Sequence, residues 1–134
     1  MPIPIIVGVG DFKNPSMKPE DAKEPALLML SAINAALRDA GAEDFNKLRA
    51  AIDGITVVRT WSWPYIDLPG LLAERLGSRN LRHKQYTDNG GNTPAKILDE
   101  TARRVSRGEI DVGLVVGGEA LASRKRTLVL RRSV

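Results

Sequence analysis

A glycine turn carries the residues of this sequence that are best suited to chemistry. Asn89-Gly90-Gly91-Asn92 follows a predicted strand that ends at Tyr86 and precedes Thr93-Pro94. Proline suits the first turn of a helix and threonine can cap it, so a helix is predicted to begin at Thr93. Free N–H groups at a helix N-terminus favour an anion or an oxyanion, and the Asn92 amide would add a donor. The turn therefore predicts an oxyanion-binding site; a turn that only lets strand and helix pack closely is the alternative.

Other catalytic groups are scarce. The sequence has no cysteine and one histidine, which excludes disulfides, thiol nucleophiles, thiolate zinc sites and multi-histidine metal sites. His83 lies among basic residues and is predicted to be a solvated residue at a strand edge. No metal site and no covalently bound cofactor is predicted. The acids near the turn are expected to be surface charges rather than a catalytic pair; they are Asp88, Asp99, Glu100, Glu109 and Asp111.

Strand-like and helix-like stretches alternate along the chain. Strands are predicted at Ile3–Val9, Ile52–Val58, Arg82–Tyr86 and Ile110–Val116, and helices at Glu20–Ala40, Phe45–Ala51, Leu68–Leu76 and from Thr93 to Gly108. This order predicts an α/β domain with a layered mixed or parallel sheet, helices on both faces and the first strand at its centre. In the last helix, the residues predicted to face the core are Ala95, Leu98, Ala102 and Val105.

An aromatic loop follows the second predicted strand. Thr60–Tyr65 contains both tryptophans and one of the two tyrosines. Aromatic clusters in loops often contact a partner or a ligand, so Trp61, Trp63 and Tyr65 are predicted to be interface residues. A loop folded back on its own core is the alternative.

The positive charge is concentrated at the C-terminal end. The net charge is +4, and residues 124–134 contain five basic residues and no acid, which leaves the rest of the chain nearly neutral. No aromatic residues are interleaved with these charges, so a nucleic-acid partner is not predicted. No apolar run approaches the length of a membrane span. The cytoplasm is the expected location, with a peroxisomal or mitochondrial one open for a longer form.

Several stretches, in order and spacing, resemble the N-terminal part of the thiolase superfamily, in particular the thiolase-like acetyl-CoA acetyltransferases related to the sterol carrier protein thiolases. They are Ile5–Asp11, Thr60–Tyr65, Gly90-Gly91-Asn92, Arg107-Gly108-Glu109 and Gly117-Gly118-Glu119. The resemblance implies an incomplete thiolase-like N-terminal domain over residues 1–123. The basic tail at 124–134 is expected to lie outside the family fold.

The resemblance also implies a function and its limits. In the family, a cysteine nucleophile stands in the turn before the helix, and this position falls on Gly91, which has no side chain to acylate. The family's C-terminal half, with a histidine and a second cysteine, has no counterpart. The resemblance therefore implies a lineage that transfers acyl groups from coenzyme A thioesters, with this chain inactive alone. A non-enzymatic acyl-CoA-binding or protein-interaction module is the alternative.

The same resemblance implies partners for the chain. An acyl-CoA is the expected small molecule, and either a second copy of the chain or the missing C-terminal half is expected to cover its apolar surfaces. Without them the protein should aggregate, dimerise or be marginally stable. The expected dimer surface is the strand ending at Tyr86 together with the Trp61–Tyr65 loop.

Overall fold

The computed structural model describes residues 1–121 of the 134-residue chain. Within these residues four helices and three strands follow one 3₁₀ turn at Pro19–Asp21. The predicted tail at 124–134 lies outside the described residues. In chain order the elements are α1 (Pro25–Asp39), α2 (Phe45–Ala51), β1 (Gly54–Val57), α3 (Leu68–Leu76), β2 (His83–Tyr86), α4 (Thr93–Ser106) and β3 (Gly113–Val116).

The three strands form a parallel sheet with β1 at its centre. Their order is β2-β1-β3, and Gly54 is aligned with His83 on one side and with Gly113 on the other. All four residues of β1 are buried, as expected of a central strand covered on both faces. The predicted α/β class is confirmed, and the sheet is parallel.

Helices cover both faces of this sheet. Ile55 and Val57 point into the main core, where they are fully buried in a cluster with Met29 of α1 and Leu72 of α3. On the opposite face Gly113 leaves room for α4, since a Cβ at that position would lie 2.4 Å from the Thr101 methyl group. The sheet is thus a middle layer whose strand ends are held in a fixed arrangement.

The predicted first strand is wrong. Residues 1–10 have no regular secondary structure, and the apolar side chains of Ile3–Val9 are mostly exposed, Ile3 at 85%. β1 has β2 and β3 as its neighbours, so the centre of the sheet is already filled. The segment instead lies against α1, where a Cβ on Gly10 would stand 2.4 Å from the Ala36 amide nitrogen. Its glycines therefore allow close backbone contact with a helix rather than strand pairing.

Most helix boundaries lie where the sequence predicts them, and the start of α1 is the clear exception. The helix predicted from Glu20 begins at Pro25, because the residue before a proline avoids the helical region, and Glu24 is extended with ψ 158°. The strands are shorter than predicted at their starts. α2 and α3 have the predicted bounds, and α3 ends at the left-handed Gly77. No helix in residues 1–121 is long and apolar enough to cross a membrane.

Candidate functional site

The carboxyl ends of the three strands surround an open cleft of about 650 Å³. Parallel strands end at the same edge, so the loops that follow them meet there. The cleft brings together the predicted glycine turn, the predicted Gly-Gly-Glu motif and one of the two tryptophans. Its lining consists of Val58, Arg59, Trp61, Asn89, Gly90, Gly91, Pro94, Val115, Val116, Gly117, Gly118 and Glu119.

The glycine turn leads directly into α4. Asn92 occupies the N-cap position without a side-chain cap bond, so the predicted cap by Thr93 is wrong. The Thr93 N–H donates to the Gly90 carbonyl at 3.1 Å. The amides of Gly90, Gly91 and Asn92 have no hydrogen-bond acceptor within residues 1–121. Gly90 and Gly91 line the cleft, so their N–H groups remain available to an oxygen atom that enters it.

Gly91 is not required by steric crowding. No atom lies within 4 Å of an ideal Cβ at this position, and its φ is not in the left-handed region. At Gly90, in contrast, a Cβ would lie 2.8 Å from the Thr93 hydroxyl oxygen. The position at which the resemblance expects the nucleophile thus has room for a side chain and lacks one.

The core-facing side of α4 differs from the prediction. Ala95 and Leu98 are exposed and Ala102 is half-buried, whereas Ile97 and Thr101 are buried. The Thr101 methyl group packs against Gly113 of β3, which fixes the rotation of the helix. The hydrophobic pattern did not predict this buried face because one of its two buried residues is a threonine rather than an apolar residue.

Glu119 ties the end of β3 to the aromatic loop. Its carboxylate accepts hydrogen bonds from the Trp61 amide, from the Ser62 amide at 3.1 Å and from the Ser62 hydroxyl at 2.5 Å. The Ala120 amide in turn donates to the Ser62 hydroxyl oxygen at 3.2 Å. The glutamate of the Gly-Gly-Glu motif therefore positions the loop that forms one wall of the cleft.

The three aromatic residues of that loop have different surroundings. Trp61 is 73% exposed and lines the cleft, while Trp63 is half-buried and its backbone carbonyl accepts from the Thr60 hydroxyl at 2.8 Å. The Tyr65 hydroxyl accepts from the Ala26 amide at 3.1 Å and donates to Glu24 at 3.2 Å. Burial, together with the Glu24 charge, raises the pKa of Tyr65 to about 12. Of the predicted interface residues, only Trp61 lies at the cleft.

Arg59 is a cleft residue that sequence reasoning missed. Its guanidinium carbon lies 4.2 Å from the centre of the Tyr86 ring, and its Nε donates to the Thr87 carbonyl at 3.1 Å. Arg59 stands just after β1. This position could have identified it from the sequence, because residues that follow parallel strands converge at one edge of the sheet. Arg59 and Glu119 are the charged residues of the lining.

No other titratable side chain of residues 1–121 lines the cleft. Burial, and then the Arg104 charge, lowers the pKa of His83, which is half-buried at the start of β2. Of the acids considered in the sequence, three form surface ion pairs: Asp99 with Arg103, Glu109 with Arg104, and Asp111 with Arg82. Within residues 1–121 no group of three His, Cys, Asp or Glu side chains could hold a metal ion.

Comparison with known proteins identifies the fold. The structure resembles a monomeric SCP2-thiolase-like protein type 1 from Mycobacterium smegmatis, with 30% sequence identity and a TM-score of 0.72, covering 86% of this chain and 23% of that one. It also resembles a variant of OleA from Xanthomonas campestris, with 24% identity and a TM-score of 0.62, covering 73% of this chain and 28% of that one. No protein-family model and no curated protein matches the sequence.

These similarities show a thiolase-like fold in the form of a partial domain. The chain spans about a quarter of the length of the solved structures that it matches. The resemblance seen in the sequence is thereby confirmed at the level of fold.

Proposed function

We propose that this chain derives from a thiolase-like lineage of acyltransferases and that, by itself, it binds a coenzyme A thioester in the cleft without transferring the acyl group. The observation that carries the proposal is Gly91. It lies in the cleft at the start of α4, with free amides around it and space for a side chain, but it offers no nucleophile.

The expected inactivity follows from the size of the catalytic effects. Backbone donors that stabilise an oxyanion contribute about 3–4 kcal/mol, whereas enzymes lower barriers by about 8–23 kcal/mol. Acyl transfer through a covalent intermediate also requires a nucleophile and its activating base. The cleft supports the first contribution only, since its lining has neither cysteine nor histidine.

The proposal is tested by calorimetric titration with acetyl-CoA and by thiolysis of acetoacetyl-CoA. We expect weak binding and no turnover above background. Turnover that survives re-purification would contradict the claim of inactivity. A complete absence of binding to the wild-type chain would favour a turn that serves packing alone.

Two substitutions at Gly91 make the test sharper. Gly91→Cys places a thiol among the free amides of a helix start, where its pKa is lowered, and acetyl-CoA should slowly acetylate it with release of free coenzyme A. Mass spectrometry detects the added acetyl group. Gly91→Ala has similar steric demand and no nucleophile, so it should bind acetyl-CoA and remain unmodified. An unmodified thiol in a variant that binds acetyl-CoA would show that the thioester carbonyl does not lie at the turn.

A non-enzymatic interaction module is the second candidate. It is favoured by two apolar side chains that remain exposed, Trp61 of the cleft at 73% and Ile66 fully. The partner would be a second copy of this chain or a separate C-terminal half.

We propose the cytoplasm as the compartment, with the peroxisome and the mitochondrion open for a longer form; cell fractionation tests this.

A further inference from the structure

We propose that Arg59 is the anion-recognising residue of the cleft and takes an anionic oxygen group of the bound thioester, either a phosphate of coenzyme A or a carboxylate of the acyl portion. This inference rests on the proposed function and specifies which side chain binds the charged part of the ligand. It depends on how the guanidinium is held and on what surrounds it.

The guanidinium is fixed in position by two contacts. It stacks on the Tyr86 ring at 4.2 Å, and its Nε donates to the Thr87 carbonyl at 3.1 Å. Tyr86 is the last residue of β2 and pairs with Val57 of β1, and the amide of the following Thr87 donates to the Val57 carbonyl. An arginine held in this way loses little side-chain entropy on binding, and its two Nη groups remain to form parallel bonds to one anionic group.

The positive charge of Arg59 is not neutralised by the neighbouring chain. Two basic residues at the β2 strand have a carboxylate partner: Arg82, just before it, pairs with Asp53, and Lys84, within it, pairs with Asp67. Within residues 1–121 Arg59 forms no ion pair. A fixed, half-buried arginine without a carboxylate, lining a cleft, is suited to an anion supplied from outside.

Glu119 is the charged residue that could oppose such an anion. Its carboxylate accepts from two backbone amides and from the Ser62 hydroxyl. Those donors disperse its charge and hold it toward the aromatic loop. The rest of the lining is apolar, glycine or the neutral Asn89, so Arg59 is the one positive side chain that lines the cleft in the described part of the chain.

Three ligands distinguish the source of the anionic group. Acetyl-CoA carries phosphates, S-acetylpantetheine carries the same thioester without phosphate, and S-succinylpantetheine adds a carboxylate without phosphate. Calorimetric titration of the full chain should show tighter binding of at least one anionic ligand than of S-acetylpantetheine. Acetyl-CoA also carries an adenosine, so tighter acetyl-CoA binding assigns the phosphate only where Arg59→Gln removes the difference; tighter S-succinylpantetheine binding assigns the carboxylate.

Arg59→Gln should weaken binding of that anionic ligand by about tenfold to a hundredfold, which is the usual effect of losing a charged hydrogen-bond pair. Binding of S-acetylpantetheine should be unchanged. Arg59→Lys, which keeps the charge but loses the forked geometry, should give an intermediate affinity. Arg38→Gln on the exposed end of α1 makes the same charge change away from the cleft and should have no effect.

Tyr86→Leu provides a second variant in case the Arg59 substitutions disturb folding. It removes the ring on which the guanidinium stacks and should weaken the anionic ligand selectively. Equal binding of all three ligands by the wild-type protein, or an equal loss of all three in Arg59→Gln, would overturn the assignment of Arg59. It would leave thioester binding standing. Failure of the wild-type protein to bind any of the three ligands would instead overturn the proposed function.

Discussion

Asp53 accepts more hydrogen bonds than any other carboxylate in the described chain. It lies at the amino ends of the strands, on the side of the sheet opposite to the cleft. Asp53 is buried and accepts from the Asp111 amide at 3.0 Å and from the Val112 amide at 2.8 Å, and Arg82 lies 3.4 Å away. A carboxylate that satisfies two backbone amides aligns β3 with β1 at the point where their pairing begins. Its role is structural, although the residue lines a smaller cavity of about 380 Å³.

Asp53→Ala should destabilise the protein by about 2–3 kcal/mol, because two partly buried amide bonds and one arginine lose their acceptor. Urea unfolding followed by circular dichroism measures this change. Asp99→Ala is the control, since Asp99 forms an exposed pair with Arg103 at 2.9 Å. An exposed pair of this kind contributes about 0.5 kcal/mol or less. Equal effects of the two substitutions would contradict the structural role of Asp53.

Tyr65 makes stability depend on pH at the alkaline end. Its pKa is raised from the ordinary value of 10.0 to about 12 by burial and by the Glu24 charge, so the folded state favours the neutral phenol. The contribution is complete below pH 10 and is lost as the pH rises through 12. Alkaline unfolding should therefore shift to higher pH in Tyr65→Phe, which cannot ionise. Ultraviolet titration of the phenolate should show a late component that Tyr65→Phe lacks and Tyr86→Phe retains.

Helix bounds that depend on residues nearby in the sequence could be predicted. A strand or a buried helix face that depends on contacts with distant residues could not. α2 and α3 have the predicted bounds because Asp44 and Asp67 cap them and Gly77 ends α3. Ile3–Val9 is apolar enough for a strand. A strand must also lie beside a free edge of the sheet, and the sequence of the segment does not show whether it does. The buried face of α4 depends on Gly113, far along the chain.

The candidate site shows the same division. The glycine turn and Glu119 could be found in the sequence because they belong to motifs. Arg59 has no motif and acquires its significance only when β2 places Tyr86 beside it. The sequence likewise did not show that the Tyr65 hydroxyl caps α1 instead of belonging to an interface, since its partner Ala26 lies 39 positions away.

The contact between the N-terminal segment and α1 depends on two glycines. A Cβ on Gly8 would lie 2.2 Å from the Ala36 carbonyl oxygen, and one on Gly10 would meet the backbone of the same helix turn. The Val9 amide also donates to the Asp39 carboxylate at 2.9 Å. The segment thus docks through backbone contact while its large side chains remain outside.

Gly10→Ala should release the segment without unfolding the domain, because few of its side chains are buried. Hydrogen exchange of the Val9 amide is expected to become faster, and limited proteolysis should cleave within residues 1–10. The matched control is Gly91→Ala, for which no atom lies within 4 Å of the new Cβ. Unchanged protection of the Val9 amide in Gly10→Ala would show that the close approach is not what holds the segment.

At the scale of the whole molecule, the two edges of the sheet are not equivalent. β2 carries Lys84, paired with Asp67 at 2.8 Å, and a charged lysine discourages pairing between edges. β3 is Gly113–Val116 without a charged side chain, and its outer edge is unpaired within residues 1–121. The exposed N-terminal segment adds a second apolar surface. Association between copies is therefore expected at β3 and the N-terminal segment, in preference to the β2 edge.

Sedimentation velocity over a concentration series should show that the chain self-associates, since an apolar segment with Ile5 exposed at 77% has no cover among the described residues. The double substitution Ile5→Lys, Val7→Lys should shift the protein toward monomer because it places two positive charges on the N-terminal segment of every copy. Trp61→Ser, which alters the aromatic loop instead, should leave association largely unchanged. Dispersal by Trp61→Ser alone would move the interface back to the loop beside β2. A monomer at every concentration would contradict both surfaces, and it would agree with the monomeric state stated for the Mycobacterium smegmatis protein.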